Sequence, residues 1–346
     1  MEIALYRKYR PRSFEDVLGQ EQVSGVLSEA VKLGNLFHAY LFSGARGTGK
    51  TSVARILAGE IGTTKNDLHE IDAASNRGID DIRELRQAVL SLPYESKYKV
   101  YIIDEAHMLT KEAFNALLKT LEEPPSHVIF ILATTELHKL PETIISRCET
   151  YDFKKAGREI LKELVLRVSK EEGFKIDNAG AELLSVLGDG SFRDTLGVLQ
   201  KIISGSKDKK ISLPEIEKIT GAPPRDVINT VLEALADGRS EEALRFIGNT
   251  AEKNTDMKIF IKLILSKLRL ALLNRYAKDM RKDILRELGA EDYEFIKRLS
   301  EKPKVNSKTL QRLLKAYIET PDAYISQLPL ELAVIDIAEE EKEKEN

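Results

Sequence analysis

The sequence predicts an α/β domain, a parallel sheet with helices on both faces, followed by a small helical domain and a second, larger one. Three observations predict it. From about Leu36 to Phe153, short β-branched apolar runs alternate with helical stretches, the pattern of a parallel sheet covered by helices. Beyond Lys154 those runs nearly vanish, and apolar residues recur at helical spacing, as in Ile160, Leu161, Leu164, Val165 and Val168. Between the first run and the helix after it stands a glycine-rich segment of the kind that turns a strand into a helix around an anion.

At 346 residues the chain exceeds the size at which one core usually keeps growing, so two or three domains are expected. The expected segments are 1–154 for the α/β domain, 155–221 and 222–338 for the helical domains, and 339–346 for an acidic frayed tail, EEEKEKEN. The opening, MEIALYRKYRPR, is basic with no apolar stretch after it, and no run approaches the roughly 18 apolar residues of a membrane span. That reads as a cytoplasmic, unprocessed protein. The strand runs follow in order: AYLFSG, HEIDAA, KVYIIDEAH, HVIFILATT and, more weakly, CETYDF. In the helical part GDGSFRDTL and the turn from Gly221 to Pro224 punctuate the pattern, and Met257 to Tyr276 reads as one long helix with an apolar stripe.

Composition narrows the chemistry. Hydrophobic residues at 42% and charged residues at 32% describe a globular chain, and a formal charge of -3 gives no global signal for polyanion binding, so any nucleic-acid site must be local. The single cysteine, Cys148, forms no internal disulfide and no multi-thiolate metal site, which fits a reducing compartment; no structural zinc is expected.

AYLFSGARGTGKTSVARILA satisfies the Walker A spacing at Gly44, Gly49, Lys50 and Thr51, with an apolar strand before it and a helix after it. A chance match to those four positions is on the order of one in a hundred, before the flanks are counted. Gly44, Gly47 and Gly49 let backbone N–H groups turn inward around phosphate oxygens, and the helix starting near Lys50 presents its positive end. Lys50 adds a point charge, and Thr51 places a hydroxyl on Mg²⁺. Ala45, Arg46 and Thr48 are free in the pattern, and they and Ser52 complete the expected phosphate loop. At the end of the third run Asp104 is expected to hold Mg²⁺ through its water shell and Glu105 to act as general base on the attacking water. His107 reads as a polar residue at a helix start.

Further residues go beyond a generic NTPase. YRKYRPRSFEDVLGQ, GARGTGKT, EIDAASNRGIDDIR, VYIIDEAHMLTKEAFNALLKTLEEPP, LATTELHKLPETIISRC and GSFRDTL occur in that order. The set closely resembles the gamma/tau subunits of the bacterial DNA polymerase III clamp loader, densely from about Leu5 to Leu196 and thinly afterwards. The resemblance implies an AAA+ module, a helical lid and a helical collar. It implies work inside a ring-like pentamer with delta, delta-prime and copies of the chain itself, which opens the sliding clamp and places it on primed template DNA near the nucleoid, with no membrane involved.

The family's roles fall on matching residues. Arg147 in ISRC matches an arginine finger that reaches the γ-phosphate of the adjacent subunit. Thr135 aligns with the sensor that touches the γ-phosphate or its water, and Arg193 with a lid sensor that folds back onto the phosphates. Tyr6, Arg7, Arg10, Pro11 and Val17 lie in the segment that wraps the adenine. Ser75, Asn76, Arg77 and Arg83 correspond to a DNA-tracking helix, whose N-terminus with arginine beside it suits phosphate contact without sequence readout.

IGTTKNDL stands where the family usually carries four zinc-binding cysteines, so the zinc module is expected to be missing. The chain is read as gamma-like because it stops soon after the collar. Rival readings keep the fold: a non-hydrolysing stator similar to delta-prime, a replication factor C small subunit, or a branch-migration motor. The intact Lys50, Thr51, Asp104 and Glu105 favour the ATPase over the stator. HMLTKEAFNALLKTLEEPP and ATT favour the bacterial clamp loader over replication factor C, and no DNA-binding wing follows the lid as a motor would require.

Overall fold

A computed structural model describes residues 3–76, 78–206, 208–253 and 255–345. The elements of the first half are α1 (Leu5–Lys8), α2 (Glu21–Leu33), β1 (Ala39–Gly44), α3 (Lys50–Glu60), β2 (Leu68–Asp72), α4 (Ile79–Val89), β3 (Lys99–Asp104), α5 (Lys111–Glu122), β4 (Val128–Thr134), α6 (Glu142–Ile145) and β5 (Glu149–Phe153). The remainder is α7 (Arg158–Glu171), β6 (Lys175–Ile176), α8 (Asn178–Gly188), α9 (Phe192–Gly205), β7 (Lys210–Ile211), α10 (Leu213–Thr220), α11 (Arg225–Asp237), α12 (Ser240–Ala251), α13 (Met257–Tyr276), α14 (Arg281–Glu301), α15 (Ser307–Glu319) and α16 (Leu328–Glu345).

The expected α/β class is present. Strands β1 to β5 form one wholly parallel sheet in the order β2-β3-β4-β1-β5. Each of the five runs read from the sequence contributes one strand. The central strands are buried on both faces, as a parallel sheet requires, so β4 is apolar almost throughout. Side chains alternate between two cores. Tyr40, Phe42, Ile102, Ile131 and Phe153 belong to one, with α2 and α3; Leu41, Tyr101, Ile103, Phe130 and Leu132 belong to the other, with α4 and α5. Each fully buried Leu, Ile or Phe stabilises the domain by about 1.5–3 kcal/mol.

By proximity of the backbone, residues 1–168 and 188–200 form one compact unit, and residues 169–187 and 201–346 a second. The second unit is helical, built on a core around Val231, Leu235, Phe260, Ile264, Leu313 and Val334. Its strand content is small: β6 and β7 pair over two residues each, a parallel contact too short to leave a periodic signature in sequence. Gly221, in a left-handed conformation, ends α10, and Pro224 caps α11, which accounts for the turn read there. Met257 to Tyr276 forms one helix, capped by Asp256, whose side chain accepts from the Ile259 amide. Helix α16 takes in most of the acidic run. Among the described residues no helix is long and apolar enough to cross a membrane.

Candidate nucleotide-binding site

The site lies at the carboxyl ends of the parallel strands, where an open α/β sheet leaves a crevice. Strand β1 ends at Gly44, the loop 45–49 follows, and α3 begins at Lys50. Among the described residues no side chain caps the start of α3, so its first amides are left open to an anion. Three glycines here, Gly44, Gly47 and Gly49, take a φ that other residues rarely adopt, and the first two also leave no room for a Cβ. Gly44 has φ 140°, and a Cβ there would stand 2.2 Å from the Phe153 carbonyl oxygen of β5; Gly47 has φ 73°, and its Cβ would stand 2.0 Å from Ser191 Oγ. The same loop is stitched to its surroundings. The Phe192 amide donates to the Gly47 carbonyl at 3.0 Å, and buried Gln20 donates to the carbonyls of Thr48 (3.4 Å) and Lys154 (2.7 Å).

Lys50 is 5% exposed, and its ammonium donates to the carbonyls of Gly44 (2.7 Å) and Ala45 (2.9 Å). Burial pushes its pKa below the ordinary lysine value; Glu105 and Asp104 work against that, and Arg193 adds to it. Thr51 Oγ1 donates to Asp104 Oδ2 at 2.8 Å, across the gap that β4 occupies between β1 and β3. A hydroxyl beside a carboxylate is a hard oxygen set that suits Mg²⁺. Among the described residues no three His, Cys, Asp or Glu side chains gather as a metal cage, so phosphate oxygens and water would complete such a site. The donors and the cradle fit a magnesium nucleotide.

Glu105 follows with φ 49°, a left-handed conformation rare outside glycine. Its carboxylate accepts from Thr135 Oγ1 at 3.1 Å, just past the end of β4. His107 lies in the 3-10 turn Ala106–Met108, with its side chain 7% exposed. Its Nδ1 is 3.1 Å from Thr134 Oγ1 and 3.5 Å from Glu105 Oε2, and its Nε2 is 3.2 Å from Glu136 Oε2. Reading it as a simple polar residue is therefore incomplete. β4 carries Thr134 against the end of β3, and only strand order, invisible in sequence, brings it to the imidazole.

A cleft of about 990 Å³, solvent mouth included, is lined by Tyr6, Arg10, Pro11 and Val17 of the amino-terminal segment. Arg46 to Ser52, Asp104, Glu105 and Arg193 complete the wall read from the sequence. The Arg193 guanidinium stands 5.4 Å over the Tyr6 ring. Arg7 is not in the lining; its guanidinium lies over the same ring, 5.8 Å from the centroid. Gly44 and Ala45 contribute only the carbonyls that hold Lys50. Leu164 and Arg167 also line the cleft, from α7, which carries no site motif, and Tyr9, Asp16, Phe192 and Leu196 line it from within the quoted motifs although no site role was given to them. Gln20 was missed as well; its signal is the glutamine of VLGQ. Five cations (Arg10, Arg46, Lys50, Arg167, Arg193) face three carboxylates (Asp16, Asp104, Glu105) across the cleft, an excess that suits a polyphosphate.

Arg147 is outside the cleft. Its guanidinium donates to Glu122 (2.7 Å) and to the Thr143 carbonyl (2.8 Å) at the end of α6. Cys148 beside it has its thiol pushed up to about 12 by burial, an unreactive state. Ser75 and Asn76 precede α4 and bond Asp72 through their side chains, at 3.1 Å each; Arg83 pairs with Asp80 at 2.9 Å. All are exposed. Arg77 lies outside the described residues.

Comparison with known proteins bears on this geometry. Residues 62–157 match a family described as DNA polymerase III, delta subunit. The chain is 42% identical over 274 residues to the DNA polymerase III subunit tau of Bacillus subtilis, which covers 73% of this chain and 48% of that protein. Against the gamma/tau subunit of Mycobacterium bovis it is 44% identical over 257 residues, 68% of this chain and 44% of that protein. Over the stretch they share, this chain is a homologue of the bacterial DNA polymerase III gamma/tau subunits. It spans less than half the length of these relatives. Among solved structures, the Thermotoga maritima RuvB Holliday junction branch migration motor superposes with a TM-score of 0.53 over 88% of this chain and 98% of that one, at 21% identity. A point mutant of the same protein gives 0.53 over 66% and 79%, at 22%. That likeness concerns the fold alone, a parallel α/β sheet module followed by helices.

Proposed function

We propose that this chain is a magnesium-dependent ATPase subunit of a clamp loader, using ATP binding to open a sliding clamp on primed DNA and hydrolysis to release it. The observation that carries the reading is the convergence of Lys50, Thr51, Asp104 and Glu105 at one strand-end crevice, with Thr51 2.8 Å from Asp104. The gamma/tau homology supports the clamp-loader setting. When bound, magnesium-ATP supplies the phosphoanhydride to be cleaved and a cation that offsets its charge.

The chain's own groups do the rest. The open amides of α3 and the loop bind the phosphates, and Lys50 exchanges its two carbonyl partners for phosphate oxygens. Tyr6, Arg10, Pro11 and Val17 enclose the base. Glu105 takes a proton from the attacking water at its carboxylate, while Thr135 orients that carboxylate or the water. Arg193 reaches the phosphates from the start of α9 once it leaves Tyr6. Arg147 stands away from its own cleft, which supports its use in trans: it offers its guanidinium to the γ-phosphate held by a neighbouring subunit, so hydrolysis depends on assembly. Segments 155–221 and 222–338 serve as lid and collar. Ser75, Asn76, Arg77 and Arg83 follow the DNA backbone. The partners are delta, delta-prime, further copies of the chain, the clamp and primed template, in the cytoplasm at the nucleoid.

Hydrolysis by the reconstituted complex, with and without primed DNA and clamp, tests this. Stimulation by DNA and clamp together is expected. A non-hydrolysing stator gives no turnover, and a DNA motor responds to DNA without the clamp; either result refutes the proposal.

A further inference from the structure

The phosphate, metal and base roles leave one buried titratable side chain beside Glu105 unused. The His107 side chain is 7% exposed and makes polar contacts on both ring nitrogens. Thr134 Oγ1 already accepts the Glu136 amide at 3.0 Å, so its own proton is free for His107 Nδ1 at 3.1 Å. The ring proton then sits on Nε2 and is donated to the Glu136 carboxylate at 3.2 Å, which also takes the Lys139 ammonium at 2.7 Å. In that tautomer Nδ1 carries no proton and its one lone pair takes the Thr134 hydroxyl, so the ring stands against Glu105 Oε2, 3.5 Å away, without donating to it. The carboxylate is therefore not captured by the ring. It is stopped by it, while the Thr135 hydroxyl donates to the same oxygen.

The backbone adds a reason for such a stop. A left-handed conformation at a non-glycine residue costs about 1–2 kcal/mol and persists only where neighbours over-determine it. At Glu105, φ 49°, the neighbours are the Asp104 carboxylate, which accepts the Glu105 amide at 3.0 Å, the Met108 amide on its carbonyl at 2.8 Å, Thr135 and the imidazole. We propose that His107 is a positioning residue for the water-activating carboxylate: wedged between Glu105, Thr134 and Glu136, it sets where Glu105 points and makes that orientation depend on Glu136. This rests on Glu105 being the general base. Glu136 opens the segment that runs through the turn Leu137–Lys139 and α6 to Arg147, so the orientation of this chain's base is tied to the segment that bears its finger.

The test uses the full chain assembled with its companion subunits, DNA and clamp, measuring single-turnover hydrolysis and nucleotide affinity separately. His107→Ala and His107→Gln lower the hydrolysis rate about 10- to 100-fold, the cost of misplacing a reacting group, with affinity within about twofold of wild type. His107→Asn, whose amide occupies the Nδ1 position and keeps the shape beside Glu105, retains more activity than His107→Gln and serves where the alanine variant folds poorly. Glu136→Gln slows hydrolysis when His107 is present and adds nothing when it is replaced by alanine. Wild-type rates in both His107→Ala and His107→Gln, a parallel loss of affinity and rate, or additive effects of the two sites overturn the proposal. A wild-type complex that does not hydrolyse ATP refutes instead the ATPase reading on which it stands.

Discussion

Replacing Arg147 by alanine separates a residue that binds nucleotide from one that acts on a neighbour's nucleotide. In this chain the guanidinium pairs with Glu122, and the two side chains are 34% and 47% exposed. An ion pair so open to solvent is worth about 0–1 kcal/mol, so Arg147→Ala costs little stability. Its own cleft does not include Arg147, so nucleotide affinity stays within about twofold of wild type. Acting as a finger, however, the same guanidinium is worth about 10³–10⁵ in rate, or about 4–7 kcal/mol of barrier. The comparison is Lys50→Ala. That ammonium is 5% exposed and makes charge-assisted bonds worth about 1.5–3 kcal/mol each, so losing two of them at the phosphates weakens binding by about 10²–10⁴. The assay pairs equilibrium titration of the isolated chain with a fluorescent nucleotide and single-turnover hydrolysis in the assembled complex. Arg147→Ala should bind normally and fail to hydrolyse; Lys50→Ala should not bind. Equal loss of binding in the two variants, or unimpaired hydrolysis by Arg147→Ala in a complex whose every ATPase subunit carries it, refutes the trans assignment.

Three other outcomes are expected. Gly47→Ala must accommodate φ 73° and a Cβ 2.0 Å from Ser191 Oγ, so it loosens the loop from Ser191 and Phe192 and weakens nucleotide binding at least about tenfold, measurable by the same titration. Asp67 is buried, which opposes its ionisation, but the amides of Glu95, Tyr94 and Ser96 and the Ser96 hydroxyl more than offset this and hold its pKa well below the usual value. The folded-state pKa is depressed, so its contribution is fully present above the unfolded value of about 3.9 and is lost as pH falls through the folded value. Asp67→Ala should therefore lower stability by about 2–4 kcal/mol near neutrality in denaturant melts, with the gap to wild type closing in acid. Arg83→Ala should leave ATP binding intact and reduce the log-log salt slope of DNA binding by about 1 per altered subunit that contacts DNA, a change read from affinities at several salt concentrations.

Much of the site was legible in the sequence because its residues are adjacent in the chain. Gly44 to Ser52 is one strand, one loop and one helix start, and Asp104 and Glu105 are neighbours, so spacing alone places each on its element. Three of the five strands were legible for a similar reason: a strand buried on both faces of a parallel sheet must be mostly apolar, and β1, β3 and β4 are, whereas the edge strands β2 and β5 keep polar residues and leave a weaker signal. The missing parts are those made by residues far apart in the chain. Gln20, Arg167 and Phe192 meet the nucleotide site from the start of α2, from α7 and from α9, and nothing in the periodicity of a helix says which loop its end will meet. The pair β6 and β7 was invisible because two residues cannot display a period.

By itself, then, the sequence determined the α/β class, the strand positions and the residues on which the proposed chemistry draws: Lys50 and Thr51 after a glycine-rich loop, and Asp104 and Glu105 at a strand end. Local backbone preference and burial act through near neighbours, and near neighbours are what a sequence displays. Only the tertiary structure decided that β4 lies between β1 and β3. That order sets Thr51 against Asp104, brings Thr135 to Glu105, and turns His107 from a surface-like polar residue into one whose side chain is enclosed beside Glu105. Strand order depends on how whole faces pack, a sum over many distant contacts that no single stretch of residues encodes.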